Sequence, residues 1–149
     1  MQVKPQYEQL DEYRELAKKL INHYPDRFYH IDLDQVRAYS ITNKDRSQTN
    51  PKLFEMGAVK MPVLKDCTFS HYVVVHQSDW ETLDRKHKLL LIAQTLLAIP
   101  ADENGEMLEE KVNTFDMKDF SPMLRTFGPD YLVKDNVPDL LYDTVSWVD

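Results

Sequence analysis

Apolar residues recur at helical spacing near the start of the chain. Leu10, Tyr13, Ala17, Leu20, Ile21 and Tyr24 follow an i, i+3, i+4 rhythm, with Glu8, Glu12, Glu15, Lys18 and Lys19 on the other turns. Pro25 cannot supply the next helical donor, so a helix is predicted over 6–24. In "DQVRAYSIT" the pattern changes to alternation. Val36, Ala38 and Ser40 share one face and Arg37, Tyr39 and Ile41 the other, which predicts a strand. "NKDRSQTNPK" is polar and aperiodic, hence a loop. "LFEMGAVKMPVL" reads as a weaker strand, and Gly57 and Pro62 suit an irregular or edge position. "SHYVVVHQ", with three consecutive valines, suits a sheet centre, and "SDWETL" a short turn after it.

The segment "HKLLLIAQTLLAIP", His87 to Pro100, is the most apolar in the chain. Past Lys88 its only polar side chains are Gln94 and Thr95, and Asp84 stands where an N-cap is needed. A helix apolar on nearly every side is buried by the rest of its fold. "ADENGEMLEEK" is a turn. "VNTFDMKDFSPMLRTFG" holds another helix, with Phe120, Met123, Leu124 and Phe127 on one face. Asp119 is placed to cap it, Pro122 falls in its first turn, and Gly128 with Pro129 stops it. "NVPDLLYDTVSWV" predicts a last helix burying Leu140, Leu141, Val145 and Val148. The order gives an α+β fold. An N-terminal helix, a small three- or four-stranded sheet, a long central buried helix and C-terminal helices form one domain over 1–149.

The bulk numbers narrow the function classes. With 149 residues, 42% hydrophobic and 29% charged, the chain can close a core without staples. A net charge of -7 argues against a general nucleic-acid binder and leaves room for a basic partner. Cys67 is the single cysteine, so neither an internal disulfide nor a thiolate-rich metal site can form. The N-terminus has no apolar signal segment, and no apolar run reaches the roughly 18 residues of a membrane span. A cytoplasmic chain without membrane attachment is expected.

Conventional chemistry is sparse. Three glycines, Gly57, Gly105 and Gly128, do not make a phosphate loop. His71 and His76 share a strand but differ by an odd number, so they point to opposite faces. His87 lies in the first turn of the long helix, away from its centre, and His23 and His30 flank the end of the first helix. Asp116 and Asp119 sit near a helix start, where carboxylates cap or favour the dipole. Cys67 with His71 four residues on is a thiol and a base without an orienting third group. Trp80 and Trp147 read as packing residues, with Trp147 as an interface anchor if exposed.

Several phrases, taken in order, carry a family likeness: "AKKLINHYP", then "YVVVHQSDWETL", a long helix, a turn, and "DMKDFSPMLRTFGPDYL". Over roughly Tyr13 to Val145 the chain resembles the metallopeptidases encoded by phages and mobile elements, zincin-like relatives of the SprT-like proteases. The resemblance implies a zincin-like fold whose long helix carries H-E-x-x-H. Two histidines on one helical face would hold zinc, the glutamate would activate water, and a third histidine would stand ahead of the "DxKDF" phrase. Laid on this chain, those positions are Ala93, Gln94, Leu97 and Phe115. Ala93, Leu97 and Phe115 have no lone pair to give, and Gln94 keeps the shape of glutamate without its basic carboxylate. Packing there would contribute about 1.5 to 3 kcal/mol for each of the two large side chains. The three apolar side chains are expected to meet in space.

The sequence therefore leads to a catalytically inactive metallopeptidase-like scaffold without cofactor. The resemblance makes it phage- or prophage-encoded, working in the cytoplasm of an infected or lysogenic host cell. It would bind, and could inhibit, a host or phage macromolecule such as a host enzyme or nucleic-acid-binding protein, without touching nucleic acid itself. The candidate surface is the acidic turn, Asp102, Glu103, Glu106, Glu109 and Glu110, together with Trp147. Two alternatives stand beside it. One is a hydrolase with a non-standard metal site or a Cys67-based site. The other is an acidic mimic of nucleic acid, which predicts carboxylates along one exposed ridge. Oligomeric state is left open.

Overall fold

The computed structural model describes residues 5–42, 54–112, 121–128 and 130–148. Among these the chain is α+β. Strand β1 (Gln6–Gln9) is followed by helices α1 (Asp11–His23) and α2 (Pro25–Phe28), then β2 (Val36–Thr42), β3 (Phe54–Ala58) and β4 (His71–His76). Helices α3 (Gln77–Thr82), α4 (Arg85–Leu97) and α5 (Ser121–Phe127) complete the regular elements. The strands form one four-stranded sheet in the order β1-β2-β4-β3. β2 and β4 run parallel at its centre, with antiparallel β1 and β3 on the edges.

Alternation selects the buried face. Val36, Ala38 and Ser40 stand beside His71, Val73 and Val75, which stand beside Ala58, Met56 and Phe54. Val36, Phe54, Val73 and Val75 join the core formed with Tyr13, Leu16, Ala17 and Leu20 of α1 and with α4. On the opposite face Tyr72 is paired with Gly57 in register, and its phenol occupies the space a Cβ at Gly57 would need. The glycine of β3 thus makes room for a neighbouring ring at the sheet edge, where its sequence placed it.

Helix α4 is enclosed. Every residue from Leu89 to Leu96 is buried, more than two full turns, so all its faces meet protein. Its start is fixed by the Asp84 carboxylate, which accepts the His87 backbone N–H at 2.9 Å. Glu12 ties α1 to the two later helices, accepting from the Trp80 indole at 2.8 Å and from the Lys88 ammonium at 2.6 Å. The Lys88 ammonium, with help from Trp80 and against partial burial, holds the Glu12 carboxyl below its usual range. Trp80 is 3% exposed, a packing residue as expected. No described helix is long and apolar enough to cross a membrane.

Three expectations are corrected. The first helix does not begin at Gln6. Residues Gln6–Gln9 pair with Thr42–Tyr39 as an edge strand, and Leu10 N–H adds a bond to the Ala38 carbonyl at 2.9 Å. All four β1 side chains are exposed, so side-chain periodicity carries no trace of a strand made by backbone pairing alone. "SDWETL" is not a turn but lies largely within α3. The tail forms no helix among residues 136–148. Asp139 accepts the Leu141 and Tyr142 N–H groups on its side chain, and the Asp143 carboxylate accepts the Asp139 N–H. These local bonds hold a single turn in place of a continuing helix. Leu140 is nevertheless fully buried, Leu141 and Val145 are partly buried, and Val148 is exposed.

α5 has Pro122 in its first turn and ends at Gly128, whose φ of +77 is the left-handed conformation glycine favours. Met123 is fully buried and Phe127 partly so. Phe120, Asp119 and the Leu124 side chain lie outside the described residues.

Candidate functional site

The positions singled out by the resemblance lie in the second half of α4. Ala93 is wholly buried within the core cluster, Gln94 is 7% exposed, and Leu97 is partly buried against the same cluster. Ala93 and Leu97, four residues apart, share a helical face. Phe115 and Asp116 lie outside the described residues, so the expected meeting of Ala93, Leu97 and Phe115 falls outside them too. Within this stretch, Thr95 Oγ1 donates to the Ile92 carbonyl and lies 2.6 Å from the Tyr13 hydroxyl, which bolts α1 to α4. Burial pushes the Tyr13 phenol far above its ordinary 10.0.

The implied zinc does not fit these side chains. Ala93 and Leu97 end in carbon, and the Gln94 amide is a poor base and a weak donor for zinc. The five histidines do not substitute. His23 is exposed, edge-on to the Tyr24 ring. His30 donates from Nε2 to the Ile99 carbonyl at 2.8 Å and so pins the end of α2 to the end of α4. His71 and His76 point to opposite faces, as alternation requires. Both ring nitrogens of His87 face oxygen acceptors, the Asp84 carboxylate and the Lys134 carbonyl. The bonds from the His87 backbone and ring hold the Asp84 carboxyl below its usual range. Among the described residues, no three of His, Cys, Asp and Glu converge as a metal group.

His71 is also withdrawn from Cys67. Its Nε2 donates to the Lys111 carbonyl at 2.7 Å, and its Nδ1 lies 2.9 Å from the Ser70 hydroxyl. Burial holds this imidazole below its ordinary 6.5, against the opposing pull of the Lys111 carbonyl and Glu109. With both nitrogens engaged, the ring is not placed to take a proton from the half-buried Cys67 thiol.

The acidic turn separates into structural and outward carboxylates. Asp102 Oδ1 accepts the Asn104 and Glu106 N–H groups at 2.8 and 2.9 Å, closing the loop that Gly105 completes with a φ of +78. Glu110 Oε1 accepts the Met61 N–H at 2.9 Å and ties the turn to the segment after β3. Glu103, Glu106 and Glu109 are exposed. Glu106 and Glu109 line a cleft of about 370 Å3 with Tyr29, His30, Asp32 and Gln35. Tyr29 and Asp32 carried no motif; only the return of the turn toward α2 makes them part of this acidic cleft. Trp147 is not an exposed anchor. Its ring sits among Tyr24, Phe28 and Phe127, with the Arg27 guanidinium 4.7 Å from its centre.

No curated protein and no solved structure matches the chain. A family model does, from residue 5 to residue 143, and the α+β fold with its long buried helix is consistent with it. The chain belongs to the family described as "Putative phage metallopeptidase".

Proposed function

We propose that this member of the family is catalytically inactive and acts as a binding scaffold for a host or phage protein inside an infected or lysogenic cell. The observation that carries the reading is the chemistry of α4. Where the resemblance implies two imidazoles and a carboxylate, the chain has the buried methyl of Ala93, the Gln94 amide and the isobutyl group of Leu97. A buried methyl contributes to packing and offers nothing to a cation. The engagement of both His71 nitrogens argues against a Cys67 hydrolase as well.

A scaffold without chemistry acts through its surface. The outward carboxylates Glu103, Glu106 and Glu109, with Asp32 across the cleft, offer negative charge to a basic protein surface. The test is zinc binding and proteolysis by the purified chain. An inactive scaffold retains no stoichiometric zinc after dialysis and cleaves no denatured casein when zinc is supplied. One tightly held zinc per chain, or zinc-dependent cleavage, overturns the reading.

A further inference from the structure

His87 stands in the first turn of α4 with oxygen on both sides of its ring. Nδ1 lies against the Asp84 carboxylate and Nε2 against the Lys134 carbonyl. Neither oxygen has a proton to give. A backbone carbonyl only accepts, and Asp84, whose carboxyl is held below its usual range, is a carboxylate at neutral pH. A neutral imidazole carries one N–H and one lone pair, so it satisfies one of these oxygens and turns a lone pair on the other. The imidazolium donates to both. The ring touches each oxygen directly and its side chain is 10% exposed, so no water mediates between them.

The charges around the ring act as follows. The Asp84 carboxylate favours the imidazolium, and Lys86, near enough to act on Asp84, opposes it. The other cations of this turn are engaged elsewhere, Arg85 with Asp139 and Lys88 with Glu12. Lys134 offers its carbonyl to the ring while its ammonium lies by Gly128, and Asp135 is exposed. Burial disfavours any charge, and two charge-assisted bonds, one of them to a carboxylate, offset that cost.

The contact joins parts of the chain far apart in sequence. Lys134 ends a turn in which the Asp130 carbonyl accepts the Val133 and Lys134 N–H groups at 3.0 and 3.2 Å. Around that turn, segment 130–140 lays Tyr131, Val137 and Leu140 into the core.

We propose that His87 is held as the imidazolium and works as a proton-dependent clasp between the start of α4 and segment 130–140. Loss of one proton leaves a single donor. The Asp84 carboxylate, the stronger acceptor, keeps it, and the Lys134 carbonyl is released. A charged form favoured by the fold stabilises at acidic pH, and its contribution is lost as pH rises through the titration of the folded imidazole. The inference involves neither zinc nor a partner and is independent of the scaffold reading.

The test uses the unaltered full chain, with the His87 ring nitrogen resonances and backbone hydrogen exchange followed as pH is raised until the ring is neutral. At about pH 7.5 both nitrogens should carry a proton, where an unperturbed histidine is about nine-tenths neutral. Protection at Val133 and Lys134 should then fall by about tenfold as the second proton leaves, with α1 unchanged. A neutral ring at that pH overturns the proposal, and so does protection at Val133 and Lys134 that stays constant while the ring titrates. The Tyr24 phenol, which donates to the Leu140 carbonyl, is raised above its ordinary 10.0 and keeps its proton below that value. In Asp84→Asn, whose amide oxygen still caps the helix, the ring should lose its second proton at lower pH than in the unaltered chain. Loss at the same pH overturns the proposal. If this variant fails to fold, the two measurements on the unaltered chain decide.

Discussion

The hydroxyls of Tyr13 and Thr95 meet 2.6 Å apart in the buried seam between α1 and α4. Thr95 Oγ1 also donates to the Ile92 carbonyl, so the Tyr13 hydroxyl is the donor between them. The two losses are therefore unequal. Tyr13→Phe leaves Thr95 with an acceptor and should cost about 1 kcal/mol. Thr95→Val strands a buried phenolic O–H and should cost up to about 3 kcal/mol. The double variant should cost less than the sum, measured from urea midpoints in a double-mutant cycle. Additive losses would show that the pair is not coupled.

The same phenol gives an alkaline limb to the stability curve. Burial raises the Tyr13 pKa above its ordinary 10.0, so on alkalinisation the unfolded chain releases this proton first. The contribution is complete below that value and is lost as pH rises past it. Tyr24, raised by burial and by Asp139 and Asp143, acts in the same direction. Thermal midpoints taken across the alkaline range should fall, and Tyr13→Phe should flatten the fall.

His71 sets an acid limb of the opposite kind. Burial lowers its pKa from 6.5, so the unfolded chain takes up the proton first as pH falls. Stability from this group is present above that pH and is lost below it. His71→Asn, which has no group titrating there, should remove that part of the slope between neutral and mildly acidic pH. An unchanged slope would mean that other groups carry it.

The two histidine positions implied by the family resemblance should not be equally permissive. Ala93→His forces a ring into a fully enclosed position and should cost about 1 to 3 kcal/mol by overpacking. Leu97→His, at a partly exposed position, should cost less. Chemical denaturation of the two single variants checks the order. The reverse order would place the packed face of α4 elsewhere.

The acidic turn should tolerate neutralisation at some positions and not at others. Glu103→Gln, Glu106→Gln and Glu109→Gln together should leave the folding midpoint within about 0.5 kcal/mol, because these side chains are exposed. The triple variant should lose capture of a basic protein partner in a pull-down. Asp102→Ala should instead loosen the turn, because its carboxylate holds the Asn104 and Glu106 N–H groups. Local hydrogen exchange over 101–110 separates the two effects.

The sequence by itself determined the elements whose side chains keep a period against one buried surface. The α4 run, the Val73–Val75 strand, the Asp84 cap and the Gly128 stop are local patterns, and the fold uses each where the chain announces it. The donor chemistry of Ala93, Gln94 and Leu97 is also a fact of sequence. Tertiary structure decided what depends on distant backbone or on returning chain. β1 exists because β2 offers an edge to its backbone, which leaves no mark on side chains that face water. The tail stays unwound because the Asp139 and Asp143 carboxylates satisfy nearby N–H groups in a single turn. Trp147 lies among Tyr24, Phe28 and Phe127 only because three elements, far apart in the chain, close around it: a ring's surroundings are set by what folds back onto it.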